Sequence, residues 1–283
     1  MIRFFAALIL LVAYGTPYAQ TVDGTLKKIA SSKTITIAHR TDALPFSYVG
    51  DGKHPAGYTI DLCKRVVASL ERQLKVPVLQ IKWVPATSQN RLELVRKGQA
   101  DMECGSTTVT LSRMDEVDFS SHVFLDTTGV LARAGAGQLF KELGGKRIAV
   151  IANTSNEAAV NLALKKTGIS ANVVRVKSRD EALAALQAGS VDAFASDKIL
   201  LLGLALKMKD PSQYALLQDD LSFEPYAIAL PRGDSGFRLA VNRALSEIYR
   251  GGEIVQIFHR AFGADVAPTP GLLMMFGIGA YAE

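Results

Sequence analysis

The chain has 283 residues but only two cysteines, one tryptophan and four histidines, and each scarcity closes off a class of protein. His39, His54, His122 and His259 lie far apart, and neither they nor the cysteines form a spaced ligand pair, so no metal site is legible. Lysine and arginine outnumber the acids 32 to 27, yet they are interleaved with acids and never run to five in a row. A nucleic-acid partner is therefore not expected, and the net charge of +5 reads as a mildly basic soluble surface that helps draw in an anion. No apolar run reaches the roughly 20 residues that a membrane span requires. Gly-x-Ser-x-Gly and a phosphate loop ending in Gly-Lys-Ser/Thr are also missing, which leaves nucleophilic and nucleotide chemistry without support and no cofactor expected.

What is present begins with an address. Arg3 precedes an unbroken apolar run from Phe4 to Ala13, the charged start and short greasy middle of a secretory signal. Residues 1–19 are expected to be that signal, cut after Ala19, and no cysteine follows the run to carry a lipid. In an oxidising compartment Cys63 and Cys104 form a candidate disulfide, with two packed thiols as the alternative.

The remainder alternates strands with helices. Thr34 to Ala38 reads as a strand, and Ile60, Cys63, Val67, Leu70 and Leu74 repeat at helical spacing. Leu79, Ile81 and Trp83 alternate as in a strand, Thr87 or Ser88 can cap the next helix, Gly98 ends it, and Met102 to Cys104 reads as a short buried strand. The second half repeats the grammar. Arg147 to Ile151 is a strand, Thr154 to Glu157 and Ser178 to Glu181 are capping boxes, and Val191 to Ala195 is a strand running into Ser196-Asp197. Gly98-Gln99-Ala100-Asp101 with Ser106 further on echoes Gly189-Ser190-Val191-Asp192 with Ser196 further on. This order predicts an α/β protein of two lobes, each a mainly parallel sheet flanked by helices, with ligand-facing loops at the carboxyl ends of strands.

Val123 to Ala132 and Tyr226 to Leu230 lack helix caps and suit two crossings between the lobes. The expected division is 20–126 with 226–267 for the first lobe and 127–225 for the second, leaving an apolar tail, 268–283, that rests on the surface. A helix from about Ser235 to Tyr249 and the segment Ile254 to Phe262 complete the first lobe. Two motifs are refused. Gly233-Asp234-Ser235-Gly236 resembles a protease nucleophile loop, but Phe237 replaces the next glycine, and Ser235 is better read as a helix cap. Gly135-Ala136-Gly137 starts a dinucleotide fingerprint that Phe140 breaks, so it reads as a loop.

The polar residues left at strand ends form a coherent set: Arg40, Ser88, Arg91, Ser106, Thr107, Thr108, Arg113, Thr154 and Asp197. An acidic amino acid carries two carboxylates and one ammonium. The arginines offer planar forks for the carboxylates, Asp197 a counter-charge for the ammonium, and the helix starting near Thr154 a favourable dipole for an anion.

Ala38-His39-Arg40, Pro45-Phe46-Ser47-Tyr48, Gly57-Tyr58, Thr87 to Arg91 and Glu103 to Thr108 together resemble the glutamate/aspartate-binding proteins of ABC transporters. The resemblance implies the type II periplasmic-binding-protein fold, a monomer in the periplasm that closes its lobes on the ligand, and delivery to an inner-membrane permease. It also implies roles. Arg113 and the loop 106–108 would hold the α-carboxylate, Asp197 with Ser106 the ammonium, Arg40 with Arg91 the side-chain carboxylate, and Thr154 would add a bond from the second lobe. Ile151, Arg179 and Val109-Thr110 stand where relatives carry a threonine, a histidine and two asparagines. Relatives pair the Cys104 equivalent with the position of Ile228, whereas this chain offers Cys63, on the inward face of its helix.

Two rivals share the fold. An exported dehydratase would need an acid or base in the cleft, for which Glu103 is the nearest candidate, although its place inside a strand suits a structural role. A sensory ligand-binding module would differ only in its partner.

Overall fold

The computed structural model describes residues 23–206 and 208–282, so the expected signal at 1–19 lies outside the described residues. The described residues open with helix α1 (Gly24–Ser32) and strand β1 (Thr34–Arg40), then a small antiparallel sheet of β2 (Asp42–Ala43), β3 (Ser47–Val49) and β4 (Pro55–Ala56). Helix α2 (Tyr58–Leu74), β5 (Gln80–Ala86), α3 (Arg91–Arg96), β6 (Met102–Cys104) and α4 (Leu111–Met114) follow. The long strand β7 (Asp118–Arg133) leads to β8 (Arg147–Ile151), α5 (Ser155–Thr167), β9 (Asn172–Val176), α6 (Arg179–Ala188), β10 (Ala193–Asp197), α7 (Lys198–Ala205) and β11 (Tyr214–Leu216). Strand β12 (Phe223–Leu230) returns the chain to α8 (Ser235–Arg250), α9 (Glu253–Phe262) and α10 (Pro270–Gly279).

The strand order β5-β1-β6-β12-β7-β10-β8-β9 explains the two-lobed shape. β5, β1 and β6 are parallel, as are β10, β8 and β9, while β12 and β7 run antiparallel in the middle. Residues 118–127 of β7 pair with β12, and residues from 128 onward pair with β10 and β11. One strand therefore changes sheets along its own length, which is how two parallel α/β units remain joined without a long linker.

Each sheet has its own core. Ile35, Ile37, Leu62, Val66, Leu70, Met102 and the inward residues of α8 and α9 pack on the first, and Phe194, Leu186, Leu201, Ile148, Val150 and Phe140 cover the two faces of the second. The helical spacing read at Ile60, Cys63, Val67 and Leu70 is the buried stripe of α2. There Cys63 is bonded to Cys104, a bridge between α2 and the end of β6 that fixes the chain just before the loop at Gly105.

Several boundaries differ from expectation for local reasons. β1 runs to Arg40 because it pairs along its whole length with β5, up to Arg40 opposite Ala86. β10 begins at Ala193, two residues later than read, because Val191 and Asp192 still close the turn after Gly189; Asp197 consequently ends the strand rather than following it. Asp234, not Ser235, caps α8, since its carboxylate accepts from Phe237 N at 3.0 Å. Asn90 occupies the cap position of α3, and Thr87 instead forms a turn with it, its N–H donating to Asn90 Oδ1 at 2.7 Å. Both predicted capping residues of the second lobe are found, with Thr154 and Ser178 accepting from Glu157 N and Glu181 N. The apolar tail forms α10, which buries Leu272 and Phe276 and sets Phe276 5.2 Å from the Tyr249 ring. Among the described residues no helix is long and apolar enough to cross a membrane.

Candidate functional site

The first lobe delivers its share of the site from three adjacent strand ends. Arg40 closes β1, fully buried, and Arg91 lies buried on the first turn of α3 after β5. The loop after β6 carries Ser106, Thr107 and Thr108, all buried. Gly105 is required there, because a Cβ would collide with the Glu103 carboxylate and the Arg40 stem. Arg91 Nη1 donates to Ser106 O at 3.3 Å and Arg113 Nη1 to Thr108 O at 2.7 Å, so two arginines grip the same loop from opposite ends. Arg113 stands on α4, its backbone N–H held by the cap residue Thr110. Ser88, partly buried, lines with Arg91 and Arg113 a pocket of about 480 Å³ at the outer side of the cleft.

The second lobe brings Asp197 at the end of β10, Arg179 at the start of α6, and the start of α5. Asp197 and Arg179 are both buried, with Arg179 Nη2 3.8 Å from Asp197 Oδ2. Direct contacts bridge the cleft. Arg179 Nη1 donates to Asp42 Oδ2 at 3.3 Å, Ser155 Oγ to Thr108 Oγ1 at 3.3 Å, and Gln89 Nε2 to Lys177 O at 3.1 Å. Gly203 of α7 sits so close to Leu44 O that no side chain fits between.

Two of the predicted residues use their hydroxyls inside the protein. Thr107 Oγ1 donates to Glu103 Oε2 at 2.7 Å, and Thr154 Oγ1 donates to Ile151 O at 2.7 Å while capping α5. It is the neighbouring Ser155 that faces the first lobe. Arg40, Arg91, Ser106, Thr108, Arg113 and Asp197 are brought together with Glu103, and the structure adds Asp42, Arg179, Ser196 and Glu224. Glu224 accepts from Thr108 Oγ1 at 2.6 Å and from Thr128 Oγ1 at 2.9 Å, tying the cleft loop to the crossing strands. A lone Asp or Glu in a sequence carries no sign of this placement. Only the departure at Arg179 hinted that the second lobe contributes a further cation.

The electrostatics are unusual for a protein interior. Arg40 and Arg91 are each pushed down to about 10 by burial first and by neighbouring arginines next, Arg179 for Arg40 and Arg113 for Arg91. Both remain cationic at neutral pH. Asp197 is pushed upward by burial and then by Glu224, and Asp126 is raised to about 8 by burial and the nearby Asp197. Charges of like sign are thus concentrated against their own preference within one buried site, where Asp42 lies between Arg40 and Arg179, and Asp197 3.8 Å from Arg179.

Their hydrogen bonding is incomplete in the same region. Arg40 Nε and Nη1, Arg91 Nε, Arg179 Nε, Glu103 Oε1, Ser106 Oγ and Ser196 Oγ are buried without a partner. Buried polar atoms seldom remain unpaired in proteins, and leaving one unpaired costs about 1–3 kcal/mol. Such a concentration is the signature of a site built for a small, charged, hydrogen-bonding molecule with at least one anionic group.

Over 255 residues the chain is 36% identical to the L-glutamate/L-aspartate-binding protein of Pseudomonas aeruginosa, covering 88% of this chain and 83% of that one. It is 30% identical to the glutamate/aspartate import solute-binding protein of Escherichia coli K12, covering 93% and 89% respectively. Among solved structures, an ancestral arginine-binding protein bound to arginine superposes with a TM-score of 0.73 at 24% identity, over 82% of this chain and 99% of that one, a likeness of fold. The family model for bacterial extracellular solute-binding proteins, family 3, matches residues 35–264. The chain belongs to the bacterial extracellular solute-binding proteins of family 3.

Proposed function

We propose that this chain captures glutamate or aspartate between its lobes in the periplasm and, as a monomer, delivers it to the inner-membrane permease of an ABC importer. The single observation that carries the reading is the convergence of buried, partly unpartnered arginines from both lobes on a cleft that also holds the buried Asp197. In this reading the lobes comprise 20–126 with 226–267 and 127–225, and residues 1–19 are removed on export. Arg113 with Ser106 and Thr108 takes the α-carboxylate, Asp197 the ammonium, and Arg40 and Arg91 the side-chain carboxylate. Ser88 borders the entrance, and Ser155, rather than the committed hydroxyl of Thr154, supplies the second-lobe hydroxyl.

Closure follows from the same geometry. A ligand shifts an open–closed equilibrium only through contacts that differ between the two states. A molecule touching Arg91 and Arg113 on one lobe and Asp197 on the other supplies them only when the lobes meet. Moving such an equilibrium from mostly open to mostly closed takes about 5.5 kcal/mol, a burden that several charge-assisted hydrogen bonds can carry. The relatives named above as binding proteins, and the structural duty of Glu103 toward Thr107, support binding over catalysis.

A thermal-shift screen of the purified protein against the amino acids, citrate and prephenate tests this reading. Ligand at about 100 times its Kd stabilises the native state by about 2.7 kcal/mol, enough to raise the melting temperature by a few degrees. Glutamate and aspartate are expected to give the largest shifts. Shifts confined to citrate or prephenate would overturn the assignment.

A further inference from the structure

The cleft already holds a carboxylate of its own. Asp42, on β2 of the first lobe, lies 2.5 Å from Arg40 Nη2 through Oδ1 and 3.3 Å from Arg179 Nη1 through Oδ2. One carboxylate thus bridges a guanidinium from each lobe, and both guanidiniums are buried, with side chains only 1% and 6% exposed. The bridge is partial, since Arg40 Nε and Nη1 and Arg179 Nε stay unpartnered. Burial pushes the Asp42 carboxyl upward, but Arg179 and Arg40 together outweigh it and hold the group below its usual range. It is therefore an anion at neutral pH.

We infer that Asp42 is a specificity-determining positioning residue, a resident carboxylate that competes with the ligand's distal carboxylate for Arg40 and Arg179. The inference rests on the acidic-ligand reading above and deepens it. Two buried arginines facing each other across a cleft repel, and without an anion between them the lobes would resist meeting. Asp42 supplies that anion when no ligand is present. When an acidic ligand arrives, its distal carboxylate finds the arginines half neutralised and a like charge beside them. The attraction to an acid is moderated, while a neutral amide gains or loses little from the charge of Asp42. Asp42 thereby sets the acid-over-amide ratio below the maximum that Arg40, Arg91 and Arg179 could reach. Such moderation suits a protein that must release its ligand after capture.

The partner residue makes the opposite prediction. Arg179 brings the second-lobe charge to this end of the cleft, so its removal subtracts attraction from the acid and leaves the amide nearly untouched.

Calorimetric titrations of wild type, Asp42→Asn and Arg179→Gln with glutamate against glutamine, and aspartate against asparagine, test both. The readout is the acid-to-amide affinity ratio of each variant divided by that of wild type, so any common effect on closure cancels. Asp42→Asn is expected to raise the ratio by about fivefold or more, and Arg179→Gln to lower it by at least as much. A ratio for Asp42→Asn that stays within about twofold of wild type, or falls, overturns the inference even if wild type binds acids well. A wild type that binds neither acid refutes the acidic-ligand reading itself, and this inference with it. Should Asp42→Asn fail to fold by circular dichroism, Asp42→Ser gives the same neutral site with a smaller side chain and the same expected rise.

Discussion

Asp197→Ala is expected to lose amino-acid binding by two to three orders of magnitude while the fold survives. Asp197 is 4% exposed at the end of β10, with Arg179 3.8 Å away and Glu224 as an acidic neighbour. An amino-acid ammonium enclosed by the lobes without its counter-charge would be a buried unpaired ion. Removing one partner of a buried pair costs roughly 3–5 kcal/mol, and each 1.4 kcal/mol is a factor of ten in affinity. In the unliganded protein the loss is smaller, because the ion pair that Asp197 makes with Arg179 is long, at 3.8 Å. Burial first and Glu224 next raise the Asp197 carboxyl, and Arg179 keeps Asp42 when Asp197 is removed, so the melting temperature should stay close to that of wild type. Calorimetry with circular dichroism checks both halves. An affinity within about threefold of wild type would remove Asp197 from the ligand site.

Arg91→Met is expected to weaken glutamate and aspartate by at least about tenfold to a hundredfold per lost bond, since a hydrogen bond to a charged group contributes about 1.5–3 kcal/mol. Methionine keeps much of the stem volume and removes only the charge and donors. The structure adds a reason to expect a large effect. Arg91 is fully buried, its Nη1 already anchored on Ser106 O, and its unpartnered Nε is preorganised rather than free to swing. Little ordering entropy opposes the bond it makes, so little is recovered when the bond is lost. Glutamine should suffer far less. Equal weakening of acid and amide would move Arg91 to the shared α-carboxylate or to support of the Ser106 loop.

The fold was legible because its signals are local. The stripe of α2, the capping residues Thr154 and Ser178, and the glycine stops at Gly98 and Gly189 each rest on neighbours a few residues away. Strands β7 and β12 were legible only in part, since Val123 to Ala132 and Tyr226 to Leu230 lack helix caps, while nothing in their sequence marked Asp126 and Glu224 as buried. The strand ends of the site were visible as polar residues following apolar ones. What escaped were pairings made across the cleft. Only the meeting of two lobes puts Asp42 between Arg40 and Arg179, 137 positions from the latter. Thr107 and Thr154 show the converse. Their residue types fitted a ligand site, and in the structure their hydroxyls donate to acceptors three or four residues away, Glu103 for Thr107 and Ile151 O for Thr154.

Side-by-side calorimetric titration of the wild-type protein with glutamate, aspartate, glutamine and asparagine bears most directly on the claim that the cleft is built for an acidic amino acid. One acidic ligand per chain should bind saturably, and its amide should bind at least about tenfold more weakly, because the amide leaves buried guanidinium charge unpaired. Amides binding as tightly as the acids, or no heat from any of the four, would contradict it.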